Sequence, residues 1–191
     1  MKFLALIAAA TAASAAAVAP PLSARQEGLL YPLRTYRRWI QTGQMVEDPQ
    51  DQPLVVKNGN QADETSTVVS FEFDQSTEGK KCQLLFELWG DRDTSEGSGQ
   101  DGLAELDVFT YKNLPPTISA KSIEIKERDD HAGRILAAFD EEATWVQSYK
   151  GWPVIDCPAG EIIGIEYVGV GDNVKVQWDI GVTGPRFQVL E

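Results

Sequence analysis

The chain has one histidine, two cysteines and two methionines among 191 residues, and its 17 Lys and Arg are outnumbered by 29 Asp and Glu. Each shortage closes off a class of function. A Ser-His-Asp triad would depend on His131 alone, and the sequence has no Gly-x-Ser-x-Gly elbow. His131 stands in the charged stretch ERDDHAGR and reads as a solvated loop residue. A zinc site would need further imidazole or thiolate ligands, which the two cysteines do not supply if they pair with each other. The formal charge of −12 has the wrong sign for a general binder of nucleic acid or anionic lipid. Asn-x-Ser/Thr sequons are missing too, so N-glycosylation is not expected. After the N-terminus no long apolar run occurs, and RFQVLE is not the hydrophobic tail that a lipid-anchor signal requires. No cofactor is expected.

What is present begins with MKFLALIAAATAASAAAVAPP. Lys2 supplies a positive start, Phe3 to Ala10 a short apolar stretch, and Ala13-Ser14-Ala15 a small-residue cleavage triplet. That layout predicts a secretory signal peptide over residues 1–17, cut near Ala15 to Ala17. The remaining chain is expected to be soluble and secreted, extracellular or associated with a cell wall, with no membrane contact after signal removal. In that oxidising setting Cys82 and Cys157 are expected to form one disulfide.

Residues 18–59 read as an N-terminal extension that packs on, or leads to, a domain spanning residues 60–191. The extension carries Arg34, Arg37 and Arg38 among Tyr36, Trp39 and Ile40. Arg37-Arg38 has the form of a dibasic processing site, but the Trp39 that follows is costly to leave exposed, which favours a packed segment.

From Asn60 onward strand patterns follow one another. In TSTVVSFEFD, Val69, Phe71 and Phe73 alternate with Ser70, Glu72 and Asp74. CQLLFELW places Cys82, Leu84, Phe86 and Leu88 on one face, and LAELDVFTY does the same with Ala104, Leu106 and Val108. KSIEIKE, GRILAAFD and ATWVQSY are also strand-compatible. Ile163, Ile165 and Tyr167 form one further alternating set, and Val174, Val176, Trp178 and Ile180 another. GVGDN between those two sets predicts a hairpin turn, and RFQVL a closing strand. Many short strands without a long amphipathic helix predict an all-β fold, a two-sheet antiparallel sandwich of jelly-roll or immunoglobulin-like kind with one disulfide.

Three constellations are candidates for chemistry. Asp91, Asp93 and Ser95 open like a calcium loop, but Glu96 stands where Gly is needed and Gly102 where the bidentate Glu belongs. A looser cation site on Asp91, Asp93 and Asp101 is the alternative to a plain charged connection. Glu72, Glu87, Glu105, Asp107, Glu124 and Glu166 all fall in predicted strands, where two facing acids would suit a glycan-active hydrolase. Trp89, Trp145 and Trp152 are the candidate ligand-binding aromatics, whereas Trp178 alternates with core residues.

The run KCQLLFEL (81–88), LDVFTY (106–111), GRILA (133–137), EATWVQSY (142–149), DCPAGE (156–161) and VGDNVKVQWD (170–179) resembles the But-two C-terminal-like domain of secreted fungal proteins, a family named for a ubiquitin-pathway binding protein. The resemblance covers about residues 60–190. It implies a β-sandwich with a signal peptide, pairs Cys82 with Cys157, and carries over no catalytic residue. The expectation is a non-enzymatic β-sandwich of the cell surface or wall, with carbohydrate binding its most concrete role. Cell-wall polysaccharide or a surface protein is the expected partner. The alternative is a hydrolase acting on glycans through paired strand carboxylates.

Overall fold

A computed structural model describes residues 28–47, 52–111, 114, 123–124, 128 and 130–191. The expected signal peptide lies outside the described residues, as does most of KSIEIKE. The chain forms β1 (Leu29–Leu30), β2 (Arg34–Trp39), β3 (Gln44–Glu47), β4 (Leu54–Lys57), β5 (Thr65–Glu72), β6 (Lys81–Glu87), β7 (Thr94–Glu96) and β8 (Ala104–Tyr111). It continues with β9 (Ile123–Glu124), β10 (Asp130–Ala137), β11 (Thr144–Ser148), β12 (Val154–Asp156), β13 (Ile162–Gly169), β14 (Val174–Gln177) and β15 (Gly184–Leu190).

The fold is the all-β sandwich that the alternation predicts. A four-stranded sheet runs β1-β15-β6-β12. An eleven-stranded sheet runs β11-β10-β8-β13-β5-β2-β3-β9, with β4 bonded to β5 and β14, and β14 to β7. Every pairing between strands is antiparallel.

Alternation decides what lies between the sheets. Val69, Phe71 and Phe73 from the larger sheet meet Cys82, Leu84, Phe86 and Phe187 from the smaller one, with Leu106, Val108, Ile163, Ile165 and Tyr167 completing the layer. Phe187 receives Phe71 and Phe73 edge-on at centroid distances of 5.0 and 5.1 Å. Phe86 meets Trp178 at 5.3 Å. Each such buried side chain contributes about 1.5–3 kcal/mol through apolar transfer, so these cross-sheet contacts hold the layers together.

Two expectations need correction. GVGDN does reverse the chain, with Gly171 at φ 80° and Asn173 at φ 60°, but β13 and β14 do not pair. β13 lies between β5 and β8, while β14 crosses to β4 and β7. Of the alternating set, Val174, Val176 and Trp178 reach the core, whereas Ile180, in the turn after β14, is only half-buried. His131 is no loop residue either: it lies in β10, stacked on Phe109 at 4.7 Å.

Residues set apart as an extension are woven into both sheets. β1 adds to β15, and β2 is hydrogen-bonded along β5. Arg38, the second residue of the dibasic pair, is buried in β2.

Candidate functional site

The larger sheet ends at β11, and the smaller sheet ends at β12. A four-residue turn carries the chain between these edges, closed by Trp152 N–H donating to the Tyr149 carbonyl at 3.1 Å. Its central residues, Lys150 and Gly151, both have positive φ, at 51° and 88°. A tight reversal of this hand needs that conformation, and Gly takes it without steric cost. The turn places Trp152 against Trp145 of β11, the rings nearly parallel at 6.4 Å, and Trp152 also reaches Phe187 at 6.2 Å. Both indoles are half-buried and pack on the inter-sheet core.

Beside Trp152 is an open cavity of about 280 Å³. Its wall combines Ile155, Pro158 and Ile163 with Thr110, Tyr111, Asp130, Lys150 and Glu161. The topology explains the gathering. The C-terminal end of β8 meets the start of β10 through Thr110–Asp130 pairing and the start of β13 through Tyr111–Gly164 pairing. β12 supplies the opposite wall, and Lys150 reaches back to Asp130 at 2.6 Å.

Cys157 pins this wall. The Cys82–Cys157 disulfide, with a Cα–Cα distance of 5.1 Å, joins the segment after β12 to β6 within the smaller sheet. Cys157 N–H also donates to the Lys80 carbonyl at 3.0 Å. The Pro158-Ala159-Gly160 turn follows, closed by Glu161 N–H on the Pro158 carbonyl at 3.1 Å, with Gly160 at φ 75°. Phe73 N–H donates to the Glu161 carbonyl at 2.9 Å, so the backbone of Glu161 is fastened to the end of β5 while its side chain stays exposed.

Trp89 does not line this cavity. Its indole N–H donates to Glu87 at 3.1 Å, and the Arg92 guanidinium lies over its ring at 5.2 Å. Arg92 borders a second, polar cavity of about 260 Å³ with Gln52, Gln177, Trp178 and Asp179. The three candidate tryptophans therefore divide, Trp145 and Trp152 stacked together and Trp89 elsewhere.

The strand carboxylates are mostly bound to arginines. Glu87 accepts from Arg186 at 2.7 Å, and Asp107 accepts from Arg134 at 2.8 Å. Glu105 lies 3.5 Å from the same Arg134. Glu166 is fully buried on the outer face of the larger sheet, where it accepts from Arg38 at 3.1 Å, Arg128 at 2.6 Å and Tyr111 at 2.6 Å, and from Ser66. Burial would raise the Glu166 pKa, but the hydrogen bond and charge of Arg128, the charge of Arg38 and the Ser66 hydroxyl outweigh it and hold the carboxyl below its ordinary range. Glu72 is exposed at the end of β5, and the Glu124 side chain lies outside the described residues.

Asp93 spends its two carboxylate oxygens on the backbone N–H groups of Trp89 and Asp179, at 2.7 and 3.2 Å. Asp91 makes a 3.7 Å contact with Arg92, and Asp101 sits in a short turn at φ 56°. Among the described residues no group of three or more His, Cys, Asp or Glu side chains is arranged to hold a metal ion.

Sequence reasoning named Trp152 among three candidate aromatics. It did not find Thr110, Asp130 or Glu161, whose roles depend on strand ends that only the fold brings together. No family model matches this chain, and no curated protein matches it.

Proposed function

We propose that the protein is a secreted, non-enzymatic β-sandwich that binds a cell-surface or wall polysaccharide, and that the cavity beside Trp152 is its sugar site. One observation carries this reading: an open cavity of about 280 Å³ combines an indole and three apolar residues with a rim of hydroxyl, ammonium and carboxylate groups. Sugar rings present C–H faces that pack on aromatic surface and hydroxyls that both donate and accept hydrogen bonds. Trp152 supplies the first kind of contact, and Thr110, Asp130, Lys150 and Glu161 supply the second. The signal-like N-terminus and the resemblance to secreted But-two C-terminal-like domains support placement outside the cell. The hydrolase alternative draws no support from the strand acids, since four of them, Glu87, Glu105, Asp107 and Glu166, face arginines.

The test is a glycan-array and wall-polysaccharide pull-down screen on the wild type and Trp152→Ala, with thermal melting as the folding control. Retention of the wild type by at least one polysaccharide, lost in a folded Trp152→Ala, is the expected result. A wild type that binds no glycan overturns the proposal.

A further inference from the structure

We infer that the cavity selects sugars that carry a free ammonium group, with Glu161 as the residue that reads it; this rests on the glycan-binding reading above. The charges at the cavity do not cancel. Lys150 pairs with Asp130 at 2.6 Å, and Glu161 is the remaining charged side chain among the described lining residues. Among the described residues the Glu161 carboxylate makes no hydrogen bond or ion pair, although its backbone is fastened on both sides, to Pro158 and to Phe73. Among the described lining residues two carboxylates stand against one ammonium, an excess of one negative charge.

An anchored carboxylate without a partner beside an indole is an arrangement for a cation. The carboxylate accepts charge-assisted hydrogen bonds, and an aromatic face attracts positive charge as well as C–H groups. The whole chain acts in the same direction, because a formal charge of −12 raises the local concentration of cationic ligands and repels anionic ones. Uronic-acid or sulfated polymers are disfavoured on that ground. A neutral sugar offers the exposed Glu161 carboxylate only hydroxyl donors, whereas a 2-amino sugar with its nitrogen unacylated adds a charge-assisted hydrogen bond and keeps the C–H face for Trp152.

The experiment compares glucosamine and N-acetylglucosamine oligomers of equal length by titration calorimetry, on wild type, Glu161→Gln and Trp152→Ala. The glucosamine oligomer is expected to bind the wild type roughly 10- to 100-fold more tightly, the range for a hydrogen bond to a charged group. That preference should shrink as salt rises. Glu161→Gln should abolish it, and Trp152→Ala should weaken both oligomers. Equal or reversed affinities overturn the inference and leave the glycan reading standing. If neither oligomer binds while another polysaccharide does, the inference again falls alone; if no glycan binds, both fall. A preference that survives Glu161→Gln removes Glu161 from the assignment. A trilysine peptide that binds as tightly, with the same loss in Glu161→Gln, replaces the sugar by a cationic peptide.

Discussion

Arg38 donates to the carboxylate of Glu166 at 3.1 Å across 128 residues of chain, on the face of the larger sheet opposite the inter-sheet core. Both side chains are buried, and Arg128 donates to the same carboxylate at 2.6 Å. Removing one member of such a group strands the others in low dielectric, at a cost of about 3–5 kcal/mol. Glu166→Gln should lower the unfolding free energy at neutral pH by that amount, read as a fall in the urea midpoint, and an unchanged midpoint would contradict the buried network.

The same carboxylate sets a pH dependence. The folded-state pKa of Glu166 is held below the ordinary 4.5, so its stabilisation is present in full above that value and is lost as pH falls through the depressed one. Denaturation of the wild type should therefore become easier in the range below about pH 4.5. Glu166→Gln, already destabilised at neutral pH, should show a shallower acid slope there. Parallel slopes in the two proteins would place the acid sensitivity in other groups.

Gly184 opens β15 at φ 83°, and a Cβ there would lie 2.3 Å from Cδ1 of Trp178. Backbone strain and overpacking act together at this position, each costing about 1–3 kcal/mol. Gly184→Ala should lower stability by about 2–6 kcal/mol and shift Trp178 fluorescence in the folded state. A variant with wild-type stability and emission would show that the indole is free to move away.

How much of this was legible in the sequence depends on how far apart the partners are. Alternation in Val69-Phe71-Phe73 and in Cys82-Leu84-Phe86-Leu88 names the core face, because period-two burial is a local property. β5 is buried on both faces from Thr65 to Phe71, and Glu166 is buried where its strand reads as half-solvated. Neither follows from local pattern, since Arg38 and Arg128 come from distant segments. The β13–β14 turn shows the same limit. Gly171 and Asn173 permit a reversal, but the partners of β14 are short strands, Leu54–Lys57 and Thr94–Glu96, that carry little pattern of their own. Trp152 could be named as a candidate from its residue type, whereas the cavity beside it is assembled from β8, β10, β12 and β13.

Trp145 stacks on Trp152 without lining the cavity, so it acts on the site by position. Trp145→Ala should weaken polysaccharide retention several-fold, and Trp145→Phe, which keeps an aromatic surface, should restore most of it. An aromatic pair of this kind contributes about 0.5–1.5 kcal/mol beyond its burial, which sets the scale of the loss. Retention unchanged in a folded Trp145→Ala would mean that the turn alone holds Trp152.

The disulfide bears on stability and site together. It spans 75 residues, for which chain-entropy arguments give about 4–5 kcal/mol. It also fastens the start of the segment that supplies Pro158 and Glu161 to the cavity, next to the exposed Lys81–Asp156 pair. Exposed ion pairs add about 0–1 kcal/mol, so the covalent link is the stronger anchor of β12 to β6. The double variant Cys82→Ser, Cys157→Ser should lower the urea midpoint by an amount corresponding to several kcal/mol. Reductant should reproduce the effect in the wild type and leave the variant unchanged. Because β12 has only three residues paired with β6, its end of the cavity should open before the sandwich unfolds. Amide exchange in residues 154–161 of the variant should then rise more than in β5 or β13. Uniform acceleration across all three segments would show that the disulfide stabilises the sandwich as a whole rather than this wall.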